Sequence, residues 1–204
     1  MPVGFSSYAI LPAAGRSSRM GQPKLLLSWR ESTVIEAVIR AWVASGVSAT
    51  VIVVHPDDAP LADVCRKTGA EVVVAPRPPV DMKASVALGL AHLSQRQPKE
   101  EDVWLVAPAD TPTLTPQAIG QVLAAYRPEC PSIIVPEYHG RRGHPVLFPW
   151  PIGREVETLG AAEGLNALFQ RHAVQTVEVD DPSILADLDT PDEYRQQVSQ
   201  DRRR

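Results

Sequence analysis

The chain has 204 residues, 44% of them hydrophobic, and a formal net charge of -4. That length and apolar fraction suit one domain over 1–204 that buries an ordinary core and folds alone. The acidic balance argues against a nucleic-acid polymer as partner, and no run is long and apolar enough to span a membrane, so any anion the protein binds must be met by local cations. The opening MPVGFSSYAI lacks the basic and long apolar regions of a signal peptide, and Cys65 and Cys130 match no CxxC or metal-ligand spacing. Both features point to a reducing, cytoplasmic setting.

In chain order, YAIL (8–11), TVIVV (50–54), EVVVA (71–75) and VWLVA (103–107) are nearly continuous apolar runs, the pattern of central strands buried on both faces. Between them ESTVIEAVIRAWVASG, DDAPLADVCRKTG and KASVALGLAHLSQRQ carry apolar residues at helical spacing. Strand and helix in alternation imply a doubly wound α/β fold: a mostly parallel sheet, right-handed crossovers, and helices on both faces. From 132 the rhythm changes to SIIVP, HPVLF, a helix over about 153–170, a strand VQTVEV (174–179) and a last helix from about 191. Breaks near 128–131 and 149–151 bound a subregion without separating domains, giving halves of about 1–127 and 128–204.

Ligands of such sheets bind beyond the carboxyl ends of the strands, so the loops after 11, 54, 75 and 107 are where chemistry is expected. The first reads PAAGRSSRMGQPK. Its small residues allow close backbone approach and an anion-binding nest, and Arg16, Arg19 and Lys24 add full charges, a combination suited to a polyphosphate. The spacing is neither that of a Walker A loop nor that of the dinucleotide fingerprint. The loop after the fourth strand reads APADTPTLTP, and Asp110 there is placed to ligate a hard cation such as Mg2+ whose shell phosphate oxygens complete. The competing role for Asp110 is a turn or a helix cap near Thr115.

LPAAGRSSRMGQPKLLL resembles the signature of the molybdenum cofactor nucleotidyltransferase family, L-x-A-G/A-G followed by R-M-G and Lys. PADTPTL resembles that family's metal motif, RRGHPVLFP its G-H-P-[VI]-L segment, and LADLDTPDEY its D-[IL]-D-T-P tail, in the right order over residues 10–194. Ala-Ala-Gly in the first motif together with Gly-His-Pro is more similar to the molybdopterin cytidylyltransferases than to the guanylyltransferases. The resemblance implies that Leu11, Ala13, Ala14, Gly15 and Arg16 wrap the nucleotide, that Arg19 and Lys24 contact its phosphates, and that Asp110 holds Mg2+. MKASVALGL resembles the S-V-x-x-G-L stretch of cytidylyltransferases, which makes Ser85 a candidate base contact, against a role at its helix's N-terminus. Arg142, Gly143 and His144 are implied to shape the acceptor pocket, with His144 positional rather than a base, since a phosphate nucleophile is already ionised. Asp187 is a candidate for a second metal or acceptor contact, while capping of the last helix accounts for Asp189.

The implied reaction moves CMP from CTP to the phosphate of molybdopterin, with a molybdoenzyme as eventual recipient. Alternatives are guanylyl transfer from GTP, cytidylyl transfer to another phosphorylated small molecule, and a non-catalytic carrier of the cofactor. The chain departs from the family pattern at Ala109, usually Gly, at Thr111, usually Met, and in LGAAEGLNALF, which lacks a Gly-Asp-x-Gly-Ala-Arg run. A β-carbon at 109 matters if that backbone requires positive φ.

Overall fold

The structure is a computed structural model that describes residues 4–15, 22–188 and 190–201. Strand β1 (Ser7–Ala13) sends Ala9, Leu11 and Ala13 to one side of the sheet and Tyr8 and Ile10 to the other, all buried. That alternation on two apolar faces is why the run reads as continuously hydrophobic. Strands β2 (Ser28–Trp29) and β3 (Ser32–Thr33) form a small antiparallel pair before helix α1 (Val34–Ala44), which a Thr33–Glu36 capping box opens. Then follow β4 (Ala49–Val54), α2 (Ala59–Arg66), β5 (Glu71–Val74), α3 (Met82–Ser94), β6 (Val103–Val106) and α4 (Pro116–Ala125). The last part holds β7 (Ile133–Tyr138), β8 (Arg141–Arg142), β9 (Val146–Pro149), β10 (Val174–Glu178) and α5 (Pro191–Asp201).

The large sheet has the order β10-β7-β9-β6-β1-β4-β5, with β8 paired to β7. β9 runs antiparallel to β6 and β7, whereas the β1–β4, β1–β6, β4–β5 and β7–β10 pairs are parallel. One apolar layer contains buried residues of α1, α2 and α4; the other contains those of α3 and of the 3-10 segments Trp150–Thr158 and Leu165–Gln170. Trp104 of β6 stacks on its register partner Phe148 of β9 at 4.2 Å between ring centroids, filling the second layer. The mostly parallel, doubly wound α/β expectation is therefore met.

Three expectations change. EVVV is an edge strand, not a central one: with β4 as its neighbour and nothing beyond, Val74 is 42% exposed. The expected helix over 153–170 is two 3-10 segments separated by 159–164, because Gly164 takes an extended backbone and neither segment has a side-chain cap. The run SIIVP continues through Pro136 to Tyr138 and turns back at His139 and Gly140, both at positive φ, into β8. Two positive φ values in a two-residue loop are what a tight hairpin demands.

Candidate active site

Strand order reverses at β1, with β4 and β5 to one side and β6 to the other, so a crevice opens beyond the carboxyl ends of β1 and β6. The loop leaving β1 begins with half-buried Ala14 and exposed Gly15; Arg16 and Arg19 lie outside the described residues. Leu11 and Ala13 are core residues at 0% and 3% exposure, so their side chains support the site from below. What they offer to a nucleotide is their backbone at the carboxyl end of β1.

The loop leaving β6 carries Asp110, 6% exposed. The Thr111 hydroxyl donates to the Pro108 carbonyl at 3.0 Å and closes the turn that presents the carboxylate. Thus the residue that departs from the family's Met fastens the loop. Ala109 is buried in the core and is not among the described residues with positive φ, so its β-carbon is compatible with this backbone. Asp110 does not cap α4, because the Thr115 hydroxyl accepts from Ala118 N.

Lys24, in a short 3-10 turn after the first loop, pairs its ammonium with Asp110 and also donates to the Leu188 carbonyl at 3.1 Å. Three distant stretches, 24, 110 and 188, thereby meet at one point. Among the described residues no group of three or more His, Cys, Asp or Glu side chains could hold a metal by itself. Asp187 is exposed and is not gathered with Asp110 into such a centre; Asp189 lies outside the described residues. One buried carboxylate still fits a hard divalent cation of the kind that takes its remaining ligands from substrate phosphates and water.

Ser85 is buried in the first turns of α3. The helix is capped by Asp81, whose carboxylate accepts from Ala84 N at 2.8 Å, so Ser85 is not needed as the cap. One turn on, Gly89 lies against Ile10 so closely that an added β-carbon would stand 2.7 Å from it. Residues four apart share a helix face; Ser85 therefore faces the same side of the sheet as Gly89, one turn nearer the carboxyl end of β1.

At the same end of the sheet, Gly143 N donates to Pro136 O at 2.9 Å and His144 N to Ile184 O at 2.8 Å. A β-carbon at Gly143 would stand 2.3 Å from that same Ile184 oxygen. Burial holds the His144 imidazole below its usual value of 6.5, against a hydrogen bond with the Val106 backbone and the charge of Asp110. The ring is therefore neutral at neutral pH. A histidine whose folded value is depressed contributes stability that is full above 6.5 and declines as pH falls through the folded value. We expect H144N to flatten the loss of stability between about pH 7 and pH 5, read from urea midpoints at each pH.

Beside this hairpin lies a cleft of about 620 Å³ lined by Tyr138, His139, Arg141, Leu185, Glu193 and Gln196, among others. Arg141 lines it; exposed Arg142 sits opposite Glu137 across the β7–β8 pair. Sequence reasoning missed Tyr138, His139 and the α5 residues. Glu193 and Gln196 at a three-residue spacing on one helix face were the available signal. Of the cysteines, Cys130 is exposed, and burial pushes the Cys65 thiol up to about 12, leaving it unreactive. No described helix is long and apolar enough to cross a membrane.

The chain is similar to several known proteins. The molybdenum cofactor cytidylyltransferase of Escherichia coli (strain K12) is 23% identical over 190 residues, spanning 91% of this chain and 92% of that protein. The probable molybdenum cofactor guanylyltransferase of Bacillus mycoides (strain KBAB4) is 28% identical over 141 residues, 65% of this chain and 62% of that one. The crystal structure of Rv0371c from Mycobacterium tuberculosis H37Rv superposes with a TM-score of 0.81 at 26% identity, covering 97% of this chain and all 100% of that one. A complex of the same mycobacterial protein with manganese superposes at 0.77 with 24% identity, covering 95% and 98% of the two chains. The family model described as the MobA-like NTP transferase domain matches residues 9–177. With its sheet, its crevice and this match over most of its length, the chain belongs to the MobA-like NTP transferase family and is a nucleotidyltransferase.

Proposed function

We propose that the protein transfers CMP from CTP to the phosphate of molybdopterin and releases pyrophosphate. The observation that carries this reading is the pair of buried Asp110 and half-buried Lys24 at the mouth of the β1–β6 crevice, next to a loop of small residues. An ion pair set at a switch point supplies what a metal-bound triphosphate needs, a carboxylate for the cation and an ammonium for the phosphates. The cytidylyltransferase of Escherichia coli, aligned over nearly the full length of both chains, supports CTP and the pterin acceptor. The Bacillus mycoides relative supports GTP as the second reading.

In this proposal Ala14, Gly15 and Arg16 wrap the triphosphate, Arg19 and Lys24 contact its phosphates, and Ser85 meets the base. Asp110 would hold Mg2+, which when bound supplies positive charge to the triphosphate and to the departing pyrophosphate. The acceptor lies along Arg142, Gly143 and His144 and extends into the cleft beside Arg141. Residues of about 1–127 thus serve the nucleotide and those of about 128–204 the acceptor.

An oxygen of the acceptor phosphate forms a bond to the α-phosphorus of CTP, and the bond from that phosphorus to the pyrophosphate oxygen breaks. The nucleophile is already ionised, so no residue need remove a proton, and neutral His144 holds the loop in place. The barrier is the approach of two polyanions. Lys24 and Arg19 lower it by placing positive charge where negative charge accumulates, and the two binding surfaces hold the reactants in line. The product passes to a molybdoenzyme in the cytoplasm.

The test is pyrophosphate release with CTP or GTP, with and without Mg2+, and with molybdopterin as acceptor. Metal-dependent release with CTP supports the reading, release with GTP alone replaces it by guanylyl transfer, and release with neither removes the acceptor.

A further inference from the structure

Lys83, two residues before Ser85, is turned away from β1. A two-residue step on a helix is about 200°, so when Ser85 faces the sheet Lys83 points to the opposite flank of α3. There its ammonium donates to the carbonyls of Gly160, Glu163 (2.8 Å) and Ala161 (3.4 Å), and lies 3.7 Å from the Asp81 carboxylate. An ammonium has three donors, and one short loop takes all of them. The loop is closed upon itself: Gly160 N donates to the Glu163 carboxylate at 2.6 Å, Glu163 N to the Gly160 carbonyl at 2.9 Å, and Arg171 holds the other Glu163 oxygen at 2.8 Å. With its side chain only 13% exposed, Lys83 is the centre of a small cage.

The location gives this cage a consequence. The segment entering α3 is mostly exposed, with Pro76, Arg77, Pro78 and Val80 all open to solvent. It offers the first turn little support. α3 follows β5, so that turn stands at the carboxyl end of the parallel strands, where the nucleotide is placed, and the caged loop stands beside it. The first turn is therefore held from two sides, by β1 under the Ser85–Gly89 face and by the 160–163 loop through Lys83.

We propose that Lys83 is a positioning residue for nucleobase recognition: by gripping the 160–163 loop it fixes the turn of α3 that carries Ser85. This rests on the reading that Ser85 meets the base. A loosened turn would weaken the contact proposed between Ser85 and cytosine and leave a guanine, for which Ser85 is assigned no contact, little affected.

The experiment compares the wild type, K83M and K83R by calorimetric binding of CTP and of GTP in the presence of Mg2+, with thermal melting alongside. K83M keeps the length of the side chain and removes its charge. The expected result is a rise of about tenfold in the CTP dissociation constant with little change for GTP, so that the preference between the two contracts, and recovery in K83R to within about threefold. Equal weakening of both nucleotides, or no change in either, would overturn the proposal, as would a loss in K83M that tracks a lowered melting temperature and persists in K83R. If the wild type prefers GTP, cytidylyl transfer fails as a reading; weakening of CTP alone in K83M would then still support the positioning role, and equal weakening of both would overturn it. If it binds neither nucleotide, the functional reading and this proposal both fall.

Discussion

D110N is expected to lower the rate of pyrophosphate release at saturating substrates by about a thousandfold, the scale on which removal of a group that organises transition-state charge acts. Asparagine keeps the volume of the 6%-exposed side chain, so the Pro108–Thr111 turn persists. What is lost is the anion that pairs with Lys24 and that would hold the metal. A thermal melt separates this from unfolding: Lys24 keeps the Leu188 carbonyl at 3.1 Å, so its ammonium is not left without an acceptor. A D110N protein retaining more than a tenth of wild-type turnover would place the metal elsewhere.

G143A carries the second large effect, on stability. The added β-carbon would stand 2.3 Å from Ile184 O and 2.8 Å from Ile184 C, both backbone atoms that cannot swing aside as a side chain tip can. The same carbonyl accepts from His144 N at 2.8 Å, so moving it breaks the link between the 143–144 segment and the 3-10 turn Pro182–Leu185. Overpacking a site with no free neighbour costs about 3 kcal/mol, and urea denaturation should show a lower midpoint with little change in slope. A loss below about 1 kcal/mol would mean that the turn yields and that the close approach is not a constraint.

Much of the fold was legible because its signals are local. In β1 and β6 every residue is buried or nearly so, and such runs announce parallel strands without any knowledge of their neighbours. The burial of β5 was misjudged for the complementary reason. EVVV is as apolar as the others, but its place at the sheet edge depends on the order of strands, which no short window contains. The 153–170 stretch has helical spacing of apolar residues, yet its glycines at 160 and 164 and the lack of side-chain caps divide it.

The site was legible where motif residues bear charge. Asp110 and Lys24 are eighty-six positions apart in sequence and in contact in space. That Arg141 lines the cleft while Arg142 does not was not legible, because alternation along a strand assigns opposite faces only once the pairing of β7 with β8 is known. Lys83 was missed because its partners are three backbone carbonyls about eighty residues away, and a carbonyl leaves no mark in a sequence.

The most direct test of the account follows the α-phosphorus. Purified protein is incubated with Mg2+, molybdopterin and CTP radiolabelled at the α-phosphate, and the products are separated chromatographically. Label is expected to move from CTP into the pterin fraction, in step with pyrophosphate and dependent on the metal. Label that remains in CTP, or that appears as free CMP without a pterin adduct, would contradict it.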